Sequence, residues 1–176
     1  LVASTIVFAR VIFEIAVVAP ELLSSIAPPL VVVMLVMGVL ALVMYGTRGG
    51  EAEQVPMDKD PSQLKAAVVF GLLYAVILFA VAAGQQWFGD RGLYLIAALS
   101  GLTDMDAITL STAQLIKRGE LEVDTGWRMI LVGSLSNLIF KGAAVALLGH
   151  PRLLLRVSIA FGIVLLCGLL LLRFWP

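Results

Sequence analysis

Charge is what this sequence has least of. Only 14% of its 176 residues are Asp, Glu, Lys or Arg, and they cancel to a net charge of zero. A soluble domain carries about a quarter. A neutral chain has no basic footprint, so nothing points to nucleic acid. A single cysteine, Cys167, excludes an internal disulfide framework. A single histidine, His150, leaves no Cys/His set for zinc or copper. No nucleophile elbow, phosphate loop or metalloprotease motif occurs, so no enzyme is expected. An intramembrane aspartyl dyad is disfavoured as well. Asp104 and Asp106 lie on one segment, whereas such dyads draw carboxylates from two, and no Gly-x-Gly-Asp run is present. No basic leader or small-residue cleavage site precedes the first apolar run, which begins at Leu1 itself. The chain therefore reads as the C-terminal part of a longer membrane protein, with its natural N-terminal spans missing.

Apolar residues are what the sequence has in excess. They make up 61% of it, and the mean hydropathy is +1.05. A soluble fold of this size has too little interior to hide that much apolar surface. Lipid must cover the rest. About 20 apolar residues cross a bilayer as a helix. Six stretches meet or approach that length: residues 1–19, 28–45, 62–84, 92–116, 127–148 and 153–175, with a polar loop at 46–61. The expected fold is all-α, a single polytopic transmembrane bundle of about six spans. Pro28-Pro29 reads as the opening of span two, because proline is tolerated in a first helical turn. Trp87-Phe88 and Phe174-Trp175 fall at span ends, where aromatic belts form.

Six crossings put both ends on one side. That side would carry Arg48, Lys59, Lys65, Lys117, Arg118, Arg128 and Arg173, against Arg91, Arg152 and Arg156 on the other. The basic bias makes the first side cytoplasmic, with loop 46–61. Ala67, Gly71 and Ala75, and Ala97 and Gly101, recur four apart. Such spacing lets backbones approach closely within the bundle, and it also offers a face for a homo-oligomer.

Charges inside spans are costly, so those present point to function. Span one carries Arg10 and Glu14, four apart and on one helix face. Span four carries Ser100, Thr103, Asp104 and Asp106 far from either end. On a regular helix two residues two apart point away from each other, so both carboxylates reach one ion only if the helix breaks. Gly101 is the expected break. Thr103 with Asp106 three residues on has the form of a capping box, starting a second half-helix. Span five carries Ser134, Asn137 and Lys141 on one face. Two cations and three carboxylates leave the interior about one negative charge, which suits a cation or a proton. Asp104 and Asp106 are hard oxygen donors, and the ion they would hold is one such as magnesium. No other cofactor is expected.

Arg10 precedes Pro20-Glu21-Leu22-Leu23 by ten residues, and Lys141 precedes Pro151-Arg152-Leu153-Leu154 by the same ten. This suggests an internal repeat of helix, proline turn and helix. Four spans of offset would make it a parallel repeat.

The run Ser100-Gly101-Leu102-Thr103-Asp104-Met105-Asp106-Ala107-Ile108-Thr109-Leu110-Ser111 closely resembles the signature of the MgtC/SapB-related bacterial membrane proteins called domain of unknown function 4010. Phe8-Ala9-Arg10-Val11 with Glu14, Val17-Val18-Ala19-Pro20, and Asn137-Leu138-Ile139-Phe140-Lys141-Gly142 support the resemblance. It implies a multi-pass protein of the bacterial inner membrane. It also implies a link to magnesium or other ion homeostasis. The expected function is a transporter or permease for a small ion or small solute, a cation or a proton-coupled one. Its path would use Arg10, Glu14, Ser100, Thr103, Asp104, Asp106, Asn137 and Lys141. The alternative is a non-transporting regulatory or assembly protein.

Overall fold

The computed structural model describes residues 1–46, 92–148 and 151–175, together with Val68 and Leu72. The rest of span three and loop residues 47–61 lie outside the described residues, as do Ala67, Gly71, Ala75, Trp87 and Phe88. The rest is helical, as the unbroken apolar runs require. Helix α1 covers Val2–Val18. A 3-10 turn at Pro20–Leu22 leads directly into α2, Leu23–Gly46. Helix α3 is Leu93–Thr103, α4 is Met105–Lys117, α5 is Val123–Leu148 and α6 is Pro151–Phe174. Segments Pro20–Gly46, Val123–Leu147 and Leu154–Phe174 are long and apolar enough to cross a membrane.

Two boundaries differ from the sequence reading. Span two starts at Leu23, so Pro28 and Pro29 sit inside α2 rather than opening it. Span four is two helices, broken near Gly101 as expected but with the interruption three residues on, at Asp104. Asp104 is extended, at φ −143° and ψ 102°. Gly101 remains helical because its missing side chain serves another purpose. A Cβ there would collide with the backbone of Gly133 on α5. The Ala97–Gly101 pair therefore marks a close crossing of α3 over α5.

The two halves of span four fold back on each other. A Cβ at Gly133 would lie 3.3 Å from the Ala97 carbonyl oxygen and 3.3 Å from Ile108 Cγ2. In one continuous helix, residues eleven apart are separated by about 16 Å. Along α5 the contacts of α3 advance in step. Ala97 meets Gly133, Gly101 meets Asn137, and Leu102 and Thr103 face Lys141 to Val145. Those of α4 run the other way, from Met105 beside Gly133 to Ile116 beside Gly126. The pair is a helical hairpin that enters and leaves at the same end of the bundle. Its arms, 11 and 13 residues long, rise about 16 and 20 Å, roughly half of a 30 Å hydrocarbon layer or a little more. Span four is thus two antiparallel helices, with the turn between them beside the middle of α5.

That end of the bundle is tied by cations. Lys117, in the last turn of α4, donates to the Val18 carbonyl at 3.0 Å and pairs with Glu21 at 3.7 Å. Arg128 pairs with Asp124 at 2.9 Å, lies 4.6 Å over the Trp127 ring, and donates to the carbonyls of Leu172 and Trp175. Positive charge at helix C-termini meets otherwise unpaired carbonyls there. Helix α4 itself ends on Gly119, whose φ of +73° suits glycine.

These contacts place Val18, Lys117, Asp124 and Trp175 together, and Leu1 at the opposite end. The suggested repeat is visible in the burial pattern. The positions buried in α2 are Ile26, Pro29, Leu30, Val33 and Met37. Shifted by the same spacing that relates Arg10 to Lys141, they become Val157, Ala160, Phe161, Val164 and Gly168, the positions buried in α6. Yet α1 and α5 run in opposite directions, so the two units are inverted rather than parallel.

Helices in lipid are held by packing rather than by apolar burial, so close contacts matter most. Gly101→Ala puts a methyl group onto the Gly133 backbone and should cost about 3 kcal/mol, the upper end of overpacking penalties. Gly133→Ala, with its nearest atoms at 3.3 Å, should cost less. Thermal unfolding in detergent measures both, and an unchanged midpoint for Gly101→Ala would contradict this crossing.

Candidate functional site

An interrupted helix leaves carbonyls unpaired at one end and N–H groups unpaired at the other. At the hairpin tip both sets find partners. Asp104 is the N-cap of α4, its Oδ1 accepting from the Asp106 N–H at 3.0 Å and the Ala107 N–H at 3.1 Å. The cap is thus Asp104, not the Thr103–Asp106 box. Thr103 Oγ1 donates back to the Ser100 carbonyl at 3.3 Å, and that carbonyl also accepts from the Asp104 N–H at 2.8 Å. In α3 the Gly101 carbonyl has lost its i+4 partner to the break. Asn137 of α5 replaces it, donating from Nδ2 at 3.1 Å.

A charged cluster adjoins the tip. Arg10 on α1 forms a short ion pair with Asp106 Oδ1. Its Nε lies 3.6 Å from Glu14 Oε1, one turn along. Glu14 in turn approaches the Asp106 carboxyl. One guanidinium therefore serves two carboxylates on two helices. The division is unequal: Glu14 Oε2 is buried and makes no hydrogen bond among the described residues. The side chains of Arg10 and Asp106 are 53% and 40% exposed, so this cluster is accessible rather than sealed in the core.

Beyond the tip lies a cleft of about 480 Å³, lined by Leu102, Thr103, Asn137, Phe140, Lys141, Ala144 and Val145. It runs from the tip along α5 towards Leu148. Lys141 is half-buried in its wall, close enough to Arg10 for the two charges to repel. No carboxylate pairs with Lys141 among the described residues.

Six of the eight residues named from the sequence thus meet at the tip or beside it through direct bonds or shared lining: Arg10, Thr103, Asp104, Asp106, Asn137 and Lys141. Glu14 joins through Arg10. Ser100 is buried and contributes its backbone carbonyl. Ser134, on the same stripe as Asn137, turns away and donates to its own helix at the Ile130 carbonyl. The two aspartates are engaged separately: Asp104 caps a helix while Asp106 faces Arg10. Among the described residues, no three His, Cys, Asp or Glu side chains converge as metal ligands. Gly133 escaped the sequence reading, and Lys117 entered it only as a charge at a span end. Gly133 was legible as one more step of the i+4 series Gly133, Asn137, Lys141. Lys117 carried no signal beyond its charge.

The family model described as "Domain of unknown function (DUF4010)" matches residues 1–149. An uncharacterized protein of Aquifex aeolicus (strain VF5) is 35% identical over 120 residues, which are 68% of this chain and 52% of that protein. The chain thus spans about half the length of that relative. No solved structure matches.

The caps make separable predictions. Asp104→Ala should lose about 1 kcal/mol, as N-cap removal does, whereas Asp104→Asn should retain most of it. Asn137→Leu strands the Gly101 carbonyl and should cost about 1–3 kcal/mol. Amide exchange at Asp106 and Ala107 reads the first effect directly. Equal exchange in Asp104→Ala and wild type would show that the cap does not hold the hairpin.

Proposed function

Because the chain belongs to the domain of unknown function 4010 family, whose description assigns no activity, we propose a function from geometry: it is a transporter or permease for a small ion, a cation or a proton-coupled one. We place it in the bacterial cytoplasmic membrane, since bacterial outer membranes are crossed by β-barrels. The feature that carries the reading is the antiparallel pair α3–α4, whose polar tip lies beside the middle of α5; we read it as a re-entrant hairpin. Irregular backbone at that depth is tolerated only in protein or against a water-filled cavity. Discontinuous helices near the midplane and units of inverted orientation are recurring transporter devices.

Arg10 gives the tip a means of responding to ions. It ties α1 to α4 through Asp106 while Glu14 competes for the same guanidinium. A proton or cation arriving at either carboxylate shifts that competition and loosens or tightens the hold on the hairpin. Magnesium enters this scheme as cargo.

The second reading, a non-transporting regulatory or assembly protein, is favoured by one fact. Asp104 and Asn137 spend their hydrogen bonds on the fold itself. The two readings separate in proteoliposomes carrying dyes for protons, potassium and magnesium. Transport predicts that Asp106→Asn and Arg10→Gln reduce flux at least tenfold at unchanged thermal midpoint. Unchanged flux in both variants would remove the transport reading. Preserved cellular function after joint replacement of Arg10 and Glu14 by leucine would support the regulatory one.

A further inference from the structure

We infer that the cleft beside the hairpin tip is a water-filled vestibule open towards the Leu148 end of the bundle, and that Lys141 makes it selective for small anions. This rests on the reading of the tip as part of an ion path, and it narrows the proton-coupled form of that reading to an anion as cargo.

The cleft has the volume for water. About 480 Å³ holds on the order of a dozen molecules at about 30 Å³ each. The charges that flank the tip require water close by. Asp104 is exposed, and Asp106 and Arg10 are about half exposed. Hydrocarbon does not accommodate exposed charges, and the cleft adjoins them at Thr103.

The sign of the admitted ion follows from Lys141. Intramembrane cations are ordinarily answered by a carboxylate. Arg10 is answered twice, by Asp106 and by Glu14 four residues on. Lys141 holds the matching place in the inverted unit, but the residue four positions on is Val145. The unit has kept the cation and lacks its carboxylate. Arg10, another cation, acts on it electrostatically. Thr103 and Asn137 add polar atoms to the same wall, while Leu102, Phe140, Ala144 and Val145 keep it otherwise apolar. One positive charge in such a wall attracts a small anion, inorganic or a short carboxylate.

The test needs no transport. In the full chain with Cys167→Ser, Ala144→Cys places a thiol in the cleft one turn from Lys141. Its labelling in proteoliposomes is followed with methanethiosulfonate reagents, one anionic and one cationic, added to one side and then the other. Labelling should occur from one side only. The ratio of anionic to cationic rates should fall about tenfold on Lys141→Gln, the size of a unit-charge effect at about 6 Å in water acting on both reagents, and hold in Lys141→Arg. Chloride, phosphate and acetate, tried separately, should slow labelling in the lysine protein and not in Lys141→Gln; the anion that does so most names the class. No labelling from either side overturns the vestibule, and a ratio indifferent to Lys141→Gln overturns the anion selectivity. Either result with dye-detected flux intact leaves the transport reading standing. Labelling as expected without flux sinks transport alone.

Discussion

A backbone that stops being helical inside a membrane must have its peptide groups satisfied from within the protein, and everything else in this fold answers to that requirement. Asp104 meets it on one side of the break and Asn137 on the other. Asn137 can reach only if α3 lies hard against α5, and α3 can lie there only because Gly101 and Gly133 carry no side chains. Docked in this way, the hairpin presents Asp106 to Arg10 across the gap to α1. The site is thus a by-product of closing a backbone, and its charges inherit their positions from that closure.

The architecture was legible in the sequence wherever length and polarity alone decide it. Apolar runs gave the helices, and intramembrane charges gave the residues that meet at the tip. Direction was not legible. A segment such as 92–116 has the hydropathy of a crossing helix whether it crosses or turns back. The difference lies in one extended residue, Asp104, whose local signal pointed equally to its neighbours Gly101 and Thr103. The parallel repeat was expected on the same count of crossings, and α1 and α5 run in opposite directions instead. The prolines misled for a related reason: Pro28-Pro29 looks like a helix start, but the preceding 3-10 turn had already begun the helix.

The two inverted units use similar pieces unequally. Their outer helices α2 and α6 bury matching positions. Their inner helices α1 and α5 each carry one cation, but the cation of α1 is spent on protein carboxylates while that of α5 faces a cleft. Basic residues at the other depth do different work. Lys117 and Arg128 secure helix ends against one another, leaving the mid-depth cations as those whose surroundings change with what occupies the site.

The re-entrant hairpin also constrains how the protein is made. Its arms are too short to be retained as ordinary spans, and the surface that receives them, α5, follows them in the chain. A ribosome delivers α3 and α4 to the membrane before their seat exists. The docked hairpin can form only once α5 has been made, so the order of synthesis decides when the protein acquires its polar centre.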